Sequence, residues 1–209
     1  MQNDVAMRFL EALDPSLRAF TFHAISKGDP TPFLLSSIFH GSTSDLFPQL
    51  VELNKEGFGI YVTANRMDGQ GAKRENVVGV RGIWQNDTHG FGGHYPLPPS
   101  LVVANELGEC QRVWLASEPI GRRDFLTLQR ALVNAYGSDK TAVDLAGLLQ
   151  VPGFSTGHPL PFSTDLLEAS GCMYSRAALI RAFLFTAEDQ YIFDEVPKIP
   201  RERCSIHYL

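Results

Sequence analysis

The chain has 209 residues, 44% hydrophobic and 11% aromatic, enough for one sizeable core or two small ones. Its net charge of −5 and pI near 5.6 argue against an avid, non-specific nucleic-acid binder, so any such binding has to come from a local basic patch. Three scattered cysteines without a CxxC pair argue against a disulfide framework or structural zinc and for a reducing, cytoplasmic setting, and no uncharged run reaches the roughly 20 residues of a membrane helix.

Val5, Phe9, Leu10 and Leu13 recur at helical spacing, and Asp14-Pro15 stops that helix. Asp4, Arg8 and Glu11 within it rule against a signal peptide. Residues 19–25 alternate as a half-buried strand, and residues 27–32 form a turn-rich loop. Ser42, Thr43 and Ser44 offer N-caps to a helix carrying Leu46, Phe47, Leu50, Val51 and Leu53 and closed by Gly57. Pro48 fits that helix only in its first turn. Residues 59–64 read as a strand opening into a polar loop, residues 65–76, where the amides around Gly69 and Gly71 could hold a phosphate, although Gly-x-Gly alone has low specificity.

The chain is organised around residues 76–90. Period two puts Val78, Val80, Gly82 and Trp84 on one face of a strand and Val77, Gly79, Arg81, Ile83 and Gln85 on the other. The strand delivers Asp87 at its end, where a rigid scaffold can place chemistry; the plainer reading is a buried strand running into a solvated turn. A Gly/Pro-rich loop spans residues 89–99, and residues 101–104 and 111–115 flank residues 105–110 as a hairpin. Helices are expected from about Arg122 to Tyr136 and from Thr141 to Leu149, the second capped by Asp139 and ended by Pro152-Gly153. Residues 177–184 form a further amphipathic run with Ser175 as N-cap. This order implies one α+β domain over residues 1–195, with residues 196–209 as a C-terminal arm or linker.

Asp87, His89 and His94 share one loop and are of the types that ligate transition metals, though loop histidines are mostly solvated. His23, His40 and His207 stand apart and read as structural. There is no Gly-x-Ser-x-Gly elbow and no P-loop, so hydrolase and Walker-type NTPase readings lack support. Asp87 and Asp144 come from separate elements, and paired carboxylates are what magnesium-assisted phosphoryl or nucleotidyl transfer needs; the plainer reading leaves Asp144 solvated on a helix. The candidate basic patches are Lys73 with Arg74 and Arg81, Arg122 with Arg123 and Arg130, and Lys198 with Arg201 and Arg203.

Several pieces taken together carry a family resemblance. They are residues 6–15, 59–65, 75–77, 80–85, 97–103, Tyr136-Gly137-Ser138-Asp139, Asp144-Leu145-Ala146 and Pro152-Gly153-Phe154. In this order and spacing the chain, over about residues 5–160, resembles the RepB-like primase domains of plasmids and phages within the archaeo-eukaryotic primase superfamily. The resemblance implies an antiparallel, RRM-like sheet covered by helices. It also implies primer synthesis on single-stranded DNA from nucleoside triphosphates, with carboxylate-held Mg2+ or Mn2+.

Carried over by position, the resemblance makes Asp87 and Asp144 the catalytic and metal-binding acids, and Asn65, Arg81, Gln111, Arg112 and His158 the residues facing nucleotide or DNA. The first acidic motif falls at Asn86-Asp87-Thr88, where only Asp87 is acidic. If the metal ligands are positions 86 and 88, two apart on one strand face, both charges are gone; if Asp87 is itself a ligand, one remains. Gln111 stands near where many primases have a nucleotide-contacting histidine. Gly147, Gln150, Thr156 and His158 stand where relatives often carry arginines or a His-x-Lys-like pair. The resemblance therefore implies a primase fold with an eroded site that binds nucleotide or single-stranded DNA, with primer synthesis impaired or lost. An active primase and a non-catalytic interaction or inhibitor protein are the alternatives, with a helicase or host protein as further partners.

Overall fold

The computed structural model describes residues 2–17, 19–26, 35–87, 91, 93–105, 107–155 and 163–185. The expectations placed on Thr88, His89, Thr156, His158, His207, Lys198, Arg201, Arg203 and the arm at 196–209 lie outside these residues. Helix α1 (Gln2–Leu13) buries Ala6, Phe9, Leu10 and Leu13, a stripe at three- and four-residue spacing, and the Asp14 N–H still reaches the Leu10 carbonyl before Pro15 ends the turn. Helix α2 (Thr43–Lys55) is capped by Ser42, whose hydroxyl accepts from the Asp45 N–H, and the chain leaves it through Gly57 at φ 93°. Because the helix starts at Thr43, Pro48 lies in its second turn and not, as expected, in its first.

Two antiparallel sheets carry the fold. In the first, β1 (Phe20–Ser26) lies between β2 (Leu35–Gly41) and β3 (Gly59–Thr63), and β9 (Leu148–Gln150) pairs with the far side of β3. In the second, β8 (Cys110–Ala116) is central, flanked by β6 (Gly82–Asp87) and β7 (Leu101–Asn105), with β10 (Thr164–Ala169) beyond β7. The short β11 (Met173–Tyr174) runs parallel to the end of β8. A small ribbon pairs β4 (Arg66–Met67) with β5 (Val77–Gly79). Helix α3 (Arg122–Tyr136) lies against β6, and α4 (Arg176–Leu184) packs on α3, its N-terminus capped by Ser175. The architecture is the expected α+β arrangement of antiparallel sheets and helices.

Three local expectations are corrected. The single strand over residues 76–85 is two strands, because the Arg81 N–H leaves the ladder for the buried Asn65 side chain at 3.0 Å. The helix expected over residues 141–149 is a short 3-10 turn (Lys140–Val143), capped by Asp139, followed by extended chain that becomes β9. Ala142, Leu145 and Leu149 are buried at helical intervals, but the chain is extended at the last of them, so their spacing imitates a helix. Cys110 is a free thiol, whereas Cys172 is disulfide-bonded, which corrects a reading without disulfides.

Gly147 precedes β9 and gives its carbonyl to the Ala64 N–H at 2.9 Å. A Cβ at this position would fall inside the van der Waals surface of the Trp84 indole and 3.1 Å from the Asp144 carbonyl. The indole thus fills the space that a longer side chain would need. Gly147→Ala is expected to cost about 1–3 kcal/mol through overpacking, read as a lower urea midpoint with unchanged slope; an unchanged midpoint would mean that Trp84 can retreat.

Candidate functional site

The sheets meet at a cavity of about 430 Å³. Tyr61 and Gln150 line it from the first sheet, and Asn86, Val103 and Gln111 from the second. Asp87, Glu109 and Asp139 also line it, and among the described residues no lysine or arginine does. Glu109 is a wall residue that sequence reasoning did not single out; Asp139 stood there as a cap and within the Tyr136–Asp139 piece, with no site role, and it does accept from the Thr141 N–H at 2.7 Å.

Strand alternation divides the first acidic motif. Asn86 sits opposite Gln111 in the β6–β8 register, and the Gln111 Nε2 donates to the Asn86 Oδ1 at 3.0 Å. Asp87 projects with Gln85 from the other face, where Arg112 sits opposite Gln85. The Arg112 Nη1 donates to the Asp87 Oδ2 at 2.8 Å, and the Phe91 N–H lies 3.0 Å from both carboxylate oxygens. Asp87 is 3% exposed. Arg112 is further held at 3.5 Å from the Gln85 Oε1 and over the Tyr95 ring, and the Tyr95 hydroxyl donates to that same Gln85 oxygen.

Gln111 is fully used by the fold. Its Nε2 also donates to the Leu148 carbonyl at 3.3 Å, and its Oε1 accepts from the Gln150 N–H at 2.7 Å. The amide thus pairs with the edge of β9 as a strand backbone would, and joins the two sheets.

The other candidate residues lie elsewhere. Asp144 is half-exposed, does not line the cavity and faces Arg74 at 3.7 Å. Asn65 is fully buried, accepting from the Arg81 N–H and donating to the Leu145 carbonyl at 2.9 Å. The Arg81 guanidinium pairs with Asp14 at 3.0 Å and lies over the Phe20 ring. The loop with Gly69 and Gly71 is closed on itself: Asp68 accepts from the Gln70 N–H, and Asn76 from the Lys73 N–H. His23 and His40 serve β1 and β2: His23 is buried, which lowers its pKa with help from the His40 charge, and the His40 Nδ1 pairs with the Thr21 hydroxyl.

The resemblance read from the sequence implies a divalent metal, and the residues present do not fit it. The cavity face offers the neutral Asn86, the Asp87 carboxylate is neutralised, and Asp144 is turned away. Among the described residues no group of three His, Cys, Asp or Glu side chains could hold an ion.

Comparison with solved structures aligns the AEP domain of the cyanophage S-2L primase-polymerase over 87% of this chain and 97% of that one, with TM-score 0.68 at 15% identity. This is a RepB-like primase fold. Primase RepB' aligns with TM-score 0.63 at 16% identity, over 93% of this chain and 66% of that one. Its catalytic domain in complex with initiator DNA aligns with TM-score 0.62 at 16% identity, over 93% and 96%. No family model and no curated protein matches the chain. On the primase fold, the helix-covered antiparallel sheets position a cavity whose acidic motif is divided between two strand faces. No described helix is long and apolar enough to cross a membrane.

Proposed function

We propose that this primase-fold chain is a replication protein of a mobile element that binds single-stranded DNA or nucleotide and has lost metal-dependent primer synthesis. The observation that carries the reading is the division at the acidic motif: the cavity face holds Asn86, while the carboxylate of Asp87 is spent on Arg112 and the Phe91 amide. Two-metal transfer needs negative charge to hold its cations close, and a neutral amide supplies none. Mg2+ or Mn2+ is then not required for binding. Primer synthesis on a single-stranded template with nucleoside triphosphates and Mn2+ tests the reading: no extension is expected. Extension abolished by Asp87→Ala would instead establish an active primase.

DNA binding is supported by the fold shared with a RepB' domain solved with initiator DNA, and by exposed basic residues from two segments. The Arg122 guanidinium donates to the Val77 carbonyl at 2.8 Å, which ties the start of α3, with the exposed Arg122 and Arg123, to the segment that follows the exposed Lys73 and Arg74. Arg81, buried on Asp14, drops out of the patch expected with Lys73 and Arg74. Each phosphate contact adds about 0.7 to the salt slope for single strands. Lys73→Ala with Arg123→Ala is therefore expected to weaken oligonucleotide binding and flatten its salt dependence by roughly one to two units, read by fluorescence anisotropy. Unchanged affinity and slope would place the DNA elsewhere.

A second reading follows from the acidic cavity wall. Two wall acids, Glu109 and Asp139, with no lysine or arginine among the described lining residues, suit a basic group of a protein partner better than a triphosphate. If neither DNA nor nucleotide binds, a non-catalytic interaction protein on the primase fold becomes the conclusion.

A further inference from the structure

The cation at this site is already present, and it belongs to the chain. Three features converge on the Arg112 guanidinium: the Asp87 Oδ2 at 2.8 Å, the Gln85 Oε1 at 3.5 Å and the face of Tyr95 at 5.4 Å. A carboxylate, an amide oxygen and an aromatic face form a niche for positive charge. The niche is braced from outside. The Tyr95 hydroxyl donates to Gln85, the Gln85 Nε2 donates to the Tyr136 carbonyl, and Tyr95 stacks on Tyr136 at 5.7 Å. Arg112 has a side chain only 19% exposed and Asp87 one 3% exposed, so water does little to screen the pair.

We propose that Arg112 is a built-in cation that closes the Asp87 site to divalent metal, so that this primase-fold chain holds Asp87 in a permanent ion pair and lacks a metal centre there. The proposal rests on the reading of a chain without metal-dependent synthesis and adds its physical cause. A guanidinium in the niche opposes a second cation by direct repulsion, and it also consumes the carboxylate oxygen that an ion would bind. Without Arg112, Asp87 and Gln85 would offer oxygen ligands of the kind that Mg2+ or Mn2+ completes with water.

Manganese titration followed by electron paramagnetic resonance of the free ion tests this without DNA or nucleotide, so its result stands whether or not DNA binding fails. The wild-type chain is expected to hold no ion that depends on Asp87. In Arg112→Gln, Mn2+ affinity is expected to rise at least about tenfold, and adding Asp87→Asn should remove the gain. A wild-type ion lost in Asp87→Asn overturns the proposal, as does a folded Arg112→Gln variant that binds Mn2+ no better than wild type. Should Arg112→Gln unfold because its buried carboxylate is unpaired, circular dichroism during Mn2+ addition replaces the titration. Refolding that Asp87→Asn makes independent of Mn2+ supports the built-in cation, and failure to refold with Mn2+ counts against it.

Discussion

Asp14→Ala is expected to destabilise the fold by about 3–5 kcal/mol, the cost of breaking a buried ion pair from one side. Asp14 follows α1 and is 4% exposed. Its Oδ2 receives the Arg81 Nη2 at 3.0 Å and the Arg66 Nε at 2.9 Å, and its Oδ1 receives the Ser16 N–H and hydroxyl. Among the described residues Arg81 has no other carboxylate partner: its Nη1 and Nη2 otherwise reach only the Thr63 and Ala19 carbonyls, at 3.4 and 3.5 Å. Removing Asp14 would strand a guanidinium whose side chain is 5% exposed, at the point where α1, the first sheet and the start of β6 meet. Urea denaturation reads the loss. A change below about 1 kcal/mol would show that Arg81 finds water or another acceptor.

The same residue gives the chain an acid dependence. Burial alone raises the Asp14 carboxyl, but the hydrogen bonds from Ser16 and Arg81 and the Arg81 charge outweigh it and hold the pKa at about 2. A depressed folded-state pKa contributes stability above the unfolded value of 3.8 and loses it as pH falls through about 2. The gap between wild type and Asp14→Ala should therefore be full above about pH 4 and narrow towards pH 2. A gap independent of pH would mean that the alanine variant loses packing, with little contribution from charge.

Elements whose cause is local were legible in the sequence. The α1 stripe, the Ser42 and Ser175 caps, α3 and the hairpin of β7 with β8 all depend on residues a few positions apart. Elements set by distant side chains were not. Asn65 breaks the strand at Arg81 from sixteen residues away, and Gln111 takes the edge of β9 from thirty-seven and thirty-nine. The site divides in the same way. Period two told that Asn86 and Asp87 face opposite ways, but only the register with β8 tells which face meets the first sheet. Arg112 appeared as a ligand contact because its pairing with Asp87 is diagonal across two strands and has no signature in either one.

Gln129→Leu carries the second large effect, roughly 3 kcal/mol or more, since each backbone group left unpaired in a buried place costs about 1–3 kcal/mol. Gln129 is a fully buried polar residue on α3, a helix face otherwise filled by Phe125, Leu128 and Leu132. Its Oε1 accepts from the Trp84 N–H at 3.0 Å, and its Nε2 donates to the Trp84 carbonyl at 3.0 Å and to the Ala142 carbonyl. The amide stands in for a missing strand at the outer edge of β6, as Gln111 does at β9. Leucine keeps the volume and loses all three bonds, while glutamate keeps the acceptor for the Trp84 N–H and loses both donors. Both variants should therefore unfold at lower urea, and the Trp84 amide should exchange with deuterium faster than the neighbouring amides of β6, which keep their β8 partners. Uniform exchange along β6 would show that α3 covers this edge by packing alone and that the glutamine contributes little.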